Sequence, residues 1–271
     1  MLACPFVWGC GGSIFFAPPP KPPPPPPPER SRFVDLTVTS PPYNLGKSYE
    51  GDLSLDAYLD FSERWLTNVY RWTAPTGRLC LNIALDTNLG GKAPLAALLT
   101  TLALRVGWRY HATIIWNEGN ISRRTAWGSW RSASAPHVIA PVEAIIVLYK
   151  GEWKRNRRGE SSISADDFKD WVWGIWEFPG ESAKRIGHEA PFPLELPRRC
   201  IQLFSYVGDL VLDPFAGSGT TMIEAIQSGR QVIGIEIEPR YIELARRRIA
   251  TEAGVNLAPQ WLNEQENDTA E

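Results

Sequence analysis

Two short stretches of this chain hold residue types whose spacing can do chemistry. The first is Thr39, Ser40, Pro41, Pro42, Tyr43 and Asn44. Consecutive prolines fix φ and stiffen the main chain, so the carbonyls around them point in set directions. A serine hydroxyl beside such a carbonyl can accept both protons of an NH₂ group. The Tyr43 ring offers a flat face on which a planar base can stack. The second stretch runs from Gly208 to Thr221 through Asp213, Pro214, Phe215, Ala216, Gly217, Ser218, Gly219 and Thr220. Gly217 and Gly219 let a ligand approach the backbone with no Cβ in the way. Amides that open a helix near Thr220 can meet an anionic group such as a carboxylate. The next strand ends at Glu236, an acid able to accept hydrogen bonds from both hydroxyls of a ribose. The loop has neither the Gly-x-Gly-x-x-Gly spacing of dinucleotide sites nor the lysine of a phosphate-binding loop. Singly, one motif reads as a proline turn and the other as a strand-to-helix turn; strand, loop, helix and acid together predict an adenosine-type site.

Alternating strands and helices must position both. Strands are expected at 33–39, 78–84, 108–116, 142–149, 210–213 and 232–236. In 55–72 the apolar residues Tyr58, Phe61, Trp65, Leu66, Val69 and Trp72 recur in steps that mark one face of a helix. Further helices are expected at 94–106 (ended by Gly107), 194–204, 220–228 and 239–249, with a turn at 75–77. This order predicts an α/β fold, a doubly wound, mostly parallel sheet covered on both faces. Ligands of such sheets sit beyond the carboxyl ends of the strands, where both candidate stretches lie.

At 271 residues, 44% hydrophobic and 21% charged, the chain can bury one sizeable core as a globular protein. A net charge of −2 argues against a histone-like nucleic-acid binder and leaves room for a local basic groove. Cys4, Cys10, Cys80 and Cys200 show no zinc or disulfide spacing, so a reducing cytoplasm is expected. His111, His137 and His188 are too scattered to suggest a metal. Residues 1–31, apolar and then almost pure proline over 18–28, are read as disordered, without the basic start or cleavage site of a secretory signal. Residues 32–254 then form the catalytic domain and 255–271 a flexible tail.

A Ser-Pro-Pro-Tyr turn followed by an Asp-Pro-Phe-Ala-Gly-Ser-Gly-Thr loop resembles the permuted β group of DNA amino-methyltransferases, which modify cytosine N4 or adenine N6. Glutamine and many RNA methyltransferases carry the loop first. The resemblance covers residues 33–249, including 77–82, 142–150, the spacing of Tyr241, Ala245 and Arg248, and the stretch 188–193. It implies a Rossmann-like methyltransferase fold with S-adenosylmethionine as cofactor. Ser40, Pro41, Pro42 and Tyr43 would be catalytic. Asp213, Phe215, Gly217, Gly219, Thr220 and Glu236 would bind the cofactor, with Phe192 at its methionine end. Serine at the head of the turn leans toward cytosine N4 in that family. Double-stranded DNA with a flipped base would be the substrate, and a cognate restriction endonuclease a candidate partner.

In the family the region before residue 188 reads the target, so 150–187 is expected to be a short, irregular target-recognition insertion. Arg123, Arg124, Arg131, Lys154, Arg155, Arg157 and Arg158 are candidates for phosphate contacts there, or else solvated loop charges. Trp171, Trp173 and Trp176 read as a small core patch. In one respect the chain departs from the family. A strand with an acidic motif commonly precedes the Pro-Pro-Tyr strand, and here glycines and polyproline occupy that place, which leaves the sheet one strand short. Three readings therefore stay open: a DNA methyltransferase, an RNA or protein amino-methyltransferase, and an inactive relative.

Overall fold

The computed structural model describes residues 13–17, 34–43, 53–86, 93–119, 128–138, 140–188, 191–256 and 260–261. In chain order its elements are β1 (Ser13–Ala17), β2 (Val34–Thr39), α1 (Leu55–Trp72), β3 (Thr73–Ala84), α2 (Leu95–Val106), β4 (Arg109–Asn117) and β5 (Val142–Tyr149). There follow α3 (Ala165–Trp171), β6 (Ile175–Glu177), α4 (Ala183–Ile186), α5 (Glu195–Phe204) and β7 (Leu210–Asp213). The chain continues with α6 (Thr220–Gln227), β8 (Gln231–Glu236), α7 (Pro239–Glu252) and β9 (Gln260–Trp261). One sheet takes the order β6-β4-β5-β3-β2-β7-β8-β1-β9. The central strands β3, β2, β7 and β8 run parallel, as β4 does to β6, while β5 and β1 pair antiparallel with their neighbours. Among the described strands only those two point the other way, so the sheet is mostly parallel.

Side-chain alternation divides the sheet between two cores. Leu79, Leu81 and Ile83 of β3 and Ala144, Ile146 and Leu148 of β5 meet Trp65, Leu66 and Val69 of α1 and Leu95, Leu99 and Leu102 of α2. Cys80, Ile145 and Val147 face the other way, onto Cys200 and Ile201 of α5, Met222 and Ile223 of α6, and Ile242, Ala245 and Ile249 of α7. Each fully buried leucine or isoleucine contributes roughly 1.5–3 kcal/mol. Capping fixes where the helices begin and end. Ser54 Oγ accepts the Ala57 amide at 3.2 Å, and Asp56 and Arg71 sit at the dipole ends that suit their charges. Gly107, in the left-handed region at φ 118, turns α2 straight into β4.

The sequence-based boundaries differ from the structure in four places. The turn expected at 75–77 lies inside β3, where the β2 partner steps from Thr73 opposite Val34 to Arg78 opposite Leu36; the turn residues bulge out of an otherwise continuous pairing. The segment 150–187 is not wholly irregular, because Ser164 and Ser182 cap α3 and α4 and β6 joins the sheet beside β4. These elements are too short to show a period. Trp171 and Trp176 are buried, the Trp176 indole donating to the Trp171 carbonyl at 3.0 Å, whereas Trp173 is 73% exposed and no part of the core patch. Finally, residues 13–17 are a strand paired with β8, and 260–261 pair with that strand in turn, in segments expected to be disordered. The unpaired edge of β8 supplies the partner that makes a strand of Ser-Ile-Phe-Phe-Ala. The place expected to lack a strand thus holds one, but antiparallel. The proline tract and residues 262–271 lie outside the described residues, in which no helix is long and apolar enough to cross a membrane.

Candidate active site

β2 and β7 are neighbours, with Leu36 opposite Val211 and Thr37 opposite Leu212, so the turn after Thr39 and the loop after Asp213 leave the sheet side by side. The buried Thr39 hydroxyl joins them, donating to Asp213 Oδ1 at 2.8 Å. The same oxygen accepts the Phe215 amide at 3.1 Å and shapes the start of the loop. Burial lifts the Asp213 carboxyl to about 6, against hydrogen bonds from Thr39 and Phe215 that favour its ionised form. A carboxyl raised in the fold contributes stability that is complete below its unfolded value of 3.8 and lost as pH rises through about 6. The gap in unfolding free energy between wild type and Asp213→Asn should therefore shift in favour of the variant between those two pH values. Denaturant titrations at a series of pH values read this directly, and a gap independent of pH would contradict it.

The glycine loop is drawn tightly against its neighbours. Gly217 and Gly219 lie in the left-handed region at φ 49 and 80. A Cβ at Gly217 would come within 3.0 Å of His188 Nε2, and one at Gly219 within 3.0 Å of the Ala245 Cβ. Arg248 of α7 clamps the loop, donating to the Ser218 carbonyl (2.9 Å), Ser218 Oγ (3.0 Å) and Thr220 Oγ1 (3.1 Å). At the end of β8 the Glu236 carboxylate accepts the amides of Gly217 (2.7 Å), Ile237 (2.8 Å) and Glu238 (2.9 Å). Burial raises its carboxyl above the usual range while those amides pull it back. A backbone cradle without Cβ atoms, beside an oriented acid one strand away, fits a ligand with a charged amino-acid end and a ribose. The Phe215 ring points into the α1 side, edge-on to Trp65 at 5.5 Å. Phe192 packs, half-buried, on the core layer that contains Ala216 and Met222, and the His188 ring from the same stretch lies 4.2 Å from the Tyr241 ring.

Ser40, Pro41, Pro42 and Tyr43 form a turn with few degrees of freedom. Tyr58 of α1 donates to the Pro42 carbonyl at 2.8 Å. Ser40 Oγ lies 2.8 Å from the Tyr43 hydroxyl, which donates to Glu143 Oε2 at 2.9 Å. Asn82 Nδ2 donates to the Tyr43 oxygen at 2.9 Å and to Glu143 Oε2 at 2.5 Å. Burial first, and then the charge of Glu143, raise the Tyr43 phenol well above its ordinary value, so it stays protonated. Glu143, Asn82, Tyr58 and His188 were not singled out from sequence as site residues. The available signal was a polar residue inside an apolar strand: Asn82 in β3, 2% exposed, and Glu143 at the head of β5.

Arg123 and Arg124 lie outside the described residues, while Arg131, Lys154 and Arg158 are exposed. Arg155 requires correction. Arg155 pairs with Asp35 at 2.5 Å and with Asp209, and Arg157 pairs with Asp209 as well. Asp35 lies near the amino end of β2 and Asp209 just before β7, at the opposite end of these strands from Ser40. The side chains of Arg155 and Asp209 are 6% and 0% exposed, so the Arg155 charge is taken up inside the protein, whereas Arg157 pairs with Asp209 from a side chain that is 43% exposed.

A doubly wound sheet with a proline-stiffened turn and a glycine loop on adjacent strand ends defines an S-adenosylmethionine-dependent methyltransferase. The family model described as "DNA methylase" matches residues 34–247, and the chain belongs to this family of N4/N6 DNA amino-methyltransferases. The Type II methyltransferase M.ScaI of Streptomyces caespitosus is 32% identical over 236 residues, covering 81% of this chain and 76% of that one. M.MjaVI of Methanocaldococcus jannaschii is 53% identical over 156 residues, 56% of this chain and 80% of its own. Among solved structures, the Thermus thermophilus protein TTHA0409 complexed with S-adenosyl-L-methionine superposes with a TM-score of 0.66 at 34% identity, covering 82% of this chain and 87% of that one. The cofactor is S-adenosylmethionine and the substrate is DNA.

Proposed function

We propose that the protein transfers the methyl group of S-adenosylmethionine to the exocyclic N4 of a cytosine flipped out of duplex DNA. The observation that carries this reading is the adjacency of Ser40 and the Asp213 loop, tied through Thr39. The cofactor supplies a methyl group already electrophilic on a sulfonium, so the protein chiefly positions the partners. An aromatic amine is a poor nucleophile because its lone pair is delocalised into the ring. Ser40 Oγ and the Pro41 carbonyl accept its two N–H bonds and favour a more tetrahedral nitrogen, whose lone pair then points at the methyl carbon. Flipping costs a few kcal/mol, and stacking on the half-buried Tyr43 ring returns roughly 1–3 kcal/mol.

In this reading Glu236 takes the ribose hydroxyls, Gly217, Gly219 and Thr220 take the carboxylate end, and Asp213, Phe215 and Phe192 line the remainder. Arg131, Lys154, Arg157 and Arg158 remain for phosphate contacts, and a cognate restriction endonuclease remains a candidate partner. Cytosine N4 is preferred because serine heads the turn. The deciding experiment incubates the protein with duplex DNA and labelled cofactor, with tRNA and protein in parallel, and digests the DNA to nucleosides. N4-methylcytosine is expected. N6-methyladenine alone would reverse the choice of base, and label only in tRNA or protein would reverse the choice of substrate.

Glu236→Ala is expected to weaken cofactor binding by about 10- to 100-fold, the range for hydrogen bonds to a charged group. Calorimetric titration of cofactor into the folded variant checks it, and an unchanged Kd would remove Glu236 from the binding site.

A further inference from the structure

We propose that Glu143 is the terminal proton acceptor for the transfer, reached from the substrate nitrogen through Ser40 and Tyr43. The proposal rests on the transfer reading above and adds a requirement to it. Methylation leaves the nitrogen with one proton too many, and neither a serine hydroxyl nor a proline carbonyl can keep it.

The hydrogen-bond directions follow from what each group can donate. A carboxylate only accepts, so the atom of Asn82 at 2.5 Å from Glu143 is its amide nitrogen, and the phenol proton of Tyr43 goes to Glu143 Oε2 at 2.9 Å. Tyr43 has one proton and has given it away. Its contact with Ser40 at 2.8 Å therefore runs from the Ser40 hydroxyl to the Tyr43 oxygen. Ser40 thus has its own proton directed inward, and its lone pairs are what it presents to a substrate N–H. The directed chain Ser40, Tyr43, Glu143 explains why Ser40 acts as an acceptor and gives the surplus proton a route.

The nitrogen lone pair forms the N–CH₃ bond as the C–S pair returns to sulfur, which leaves as a neutral thioether. The amine then loses one proton to Ser40 Oγ as Ser40 passes its own to Tyr43 and Tyr43 passes its own to Glu143. The carboxyl formed gives its proton to water between turnovers. No oxidant or additional reactant is required.

The test compares wild type with Glu143→Gln and Tyr43→Phe in steady-state and single-turnover transfer to duplex DNA. Glutamine keeps the size and can still accept from Tyr43, but it has no charge with which to take a proton; phenylalanine keeps the ring and breaks the chain. Each is expected to lower kcat on the order of a hundredfold, the scale of losing a positioned proton acceptor. KM for DNA and the Kd for cofactor should stay near wild type. The double variant should be no slower than the worse single one, because both cut the same chain. Glu143→Gln at wild-type kcat would overturn the proposal and assign Glu143 to holding the Tyr43 ring. Full activity in Tyr43→Phe would overturn it too, by removing the link. Wild-type protein that transfers nothing to DNA would instead defeat the underlying reading, a result distinct from either.

Discussion

Ser40→Ala is expected to lower methyl transfer to DNA by about 10²–10³-fold, the scale on which enzymes lose rate when one preorganised hydrogen-bonding group is removed. The loss should fall on kcat. Ser40 follows β2, while the glycine loop and Glu236 belong to β7 and β8, and the hydrogen bonds that shape the cofactor cradle run between Glu236, Arg248 and the loop itself. Alanine in place of Ser40 leaves the two prolines, the Pro41 carbonyl and the Tyr58 bond to Pro42 intact. The amino group would then be held by a carbonyl alone, with one N–H unpaired and no inward-directed hydroxyl behind it. Titration calorimetry with S-adenosylmethionine should return a wild-type Kd for the same preparation that has lost turnover. An intact turnover number in Ser40→Ala would show that chemistry does not pass through this turn.

What could be read from sequence divides along one line. Features whose cause is local were visible. The helical period of α1 gave its limits, the apolar run of β5 gave 142–149, and the two glycines of the loop and the two prolines of the turn declared their backbone demands. Features whose cause lies far along the chain were not. Glu143 reaches Tyr43 across 100 residues, because β5 returns antiparallel beside β3 and sets Glu143 opposite Ala84, two residues beyond Asn82. Nothing within β5 announces that placement. The ion pairs of Arg155 and Arg157 were hidden because their acids are 52 to 120 positions away. Residues 13–17 form β1 because β8 offers an edge to pair with, a property of the sheet and not of those residues.

A second large effect, on stability, is expected where Arg155 is buried. Asp209→Ala should cost about 3–5 kcal/mol, the range for breaking a buried ion pair by removing one partner. Asp209 is fully buried, accepts the Tyr206 amide at 2.8 Å and balances Arg155, which it shares with Asp35. Without it Arg155, 6% exposed, keeps a single acid that is already held above the ordinary carboxylate range by burial. Asp35 also accepts the Leu210 amide at 3.0 Å, so the cluster ties β2 to β7 at their amino ends. These are the strands whose carboxyl ends carry Ser40 and Asp213, joined there by the Thr39 bond. The pair is thus pinned at both ends, and its register decides whether the two halves of the site meet. Guanidinium denaturation of Asp209→Ala measures the cost. A loss under about 1 kcal/mol, the scale of an exposed ion pair, would show that these charges are solvated and free to contact phosphate after all.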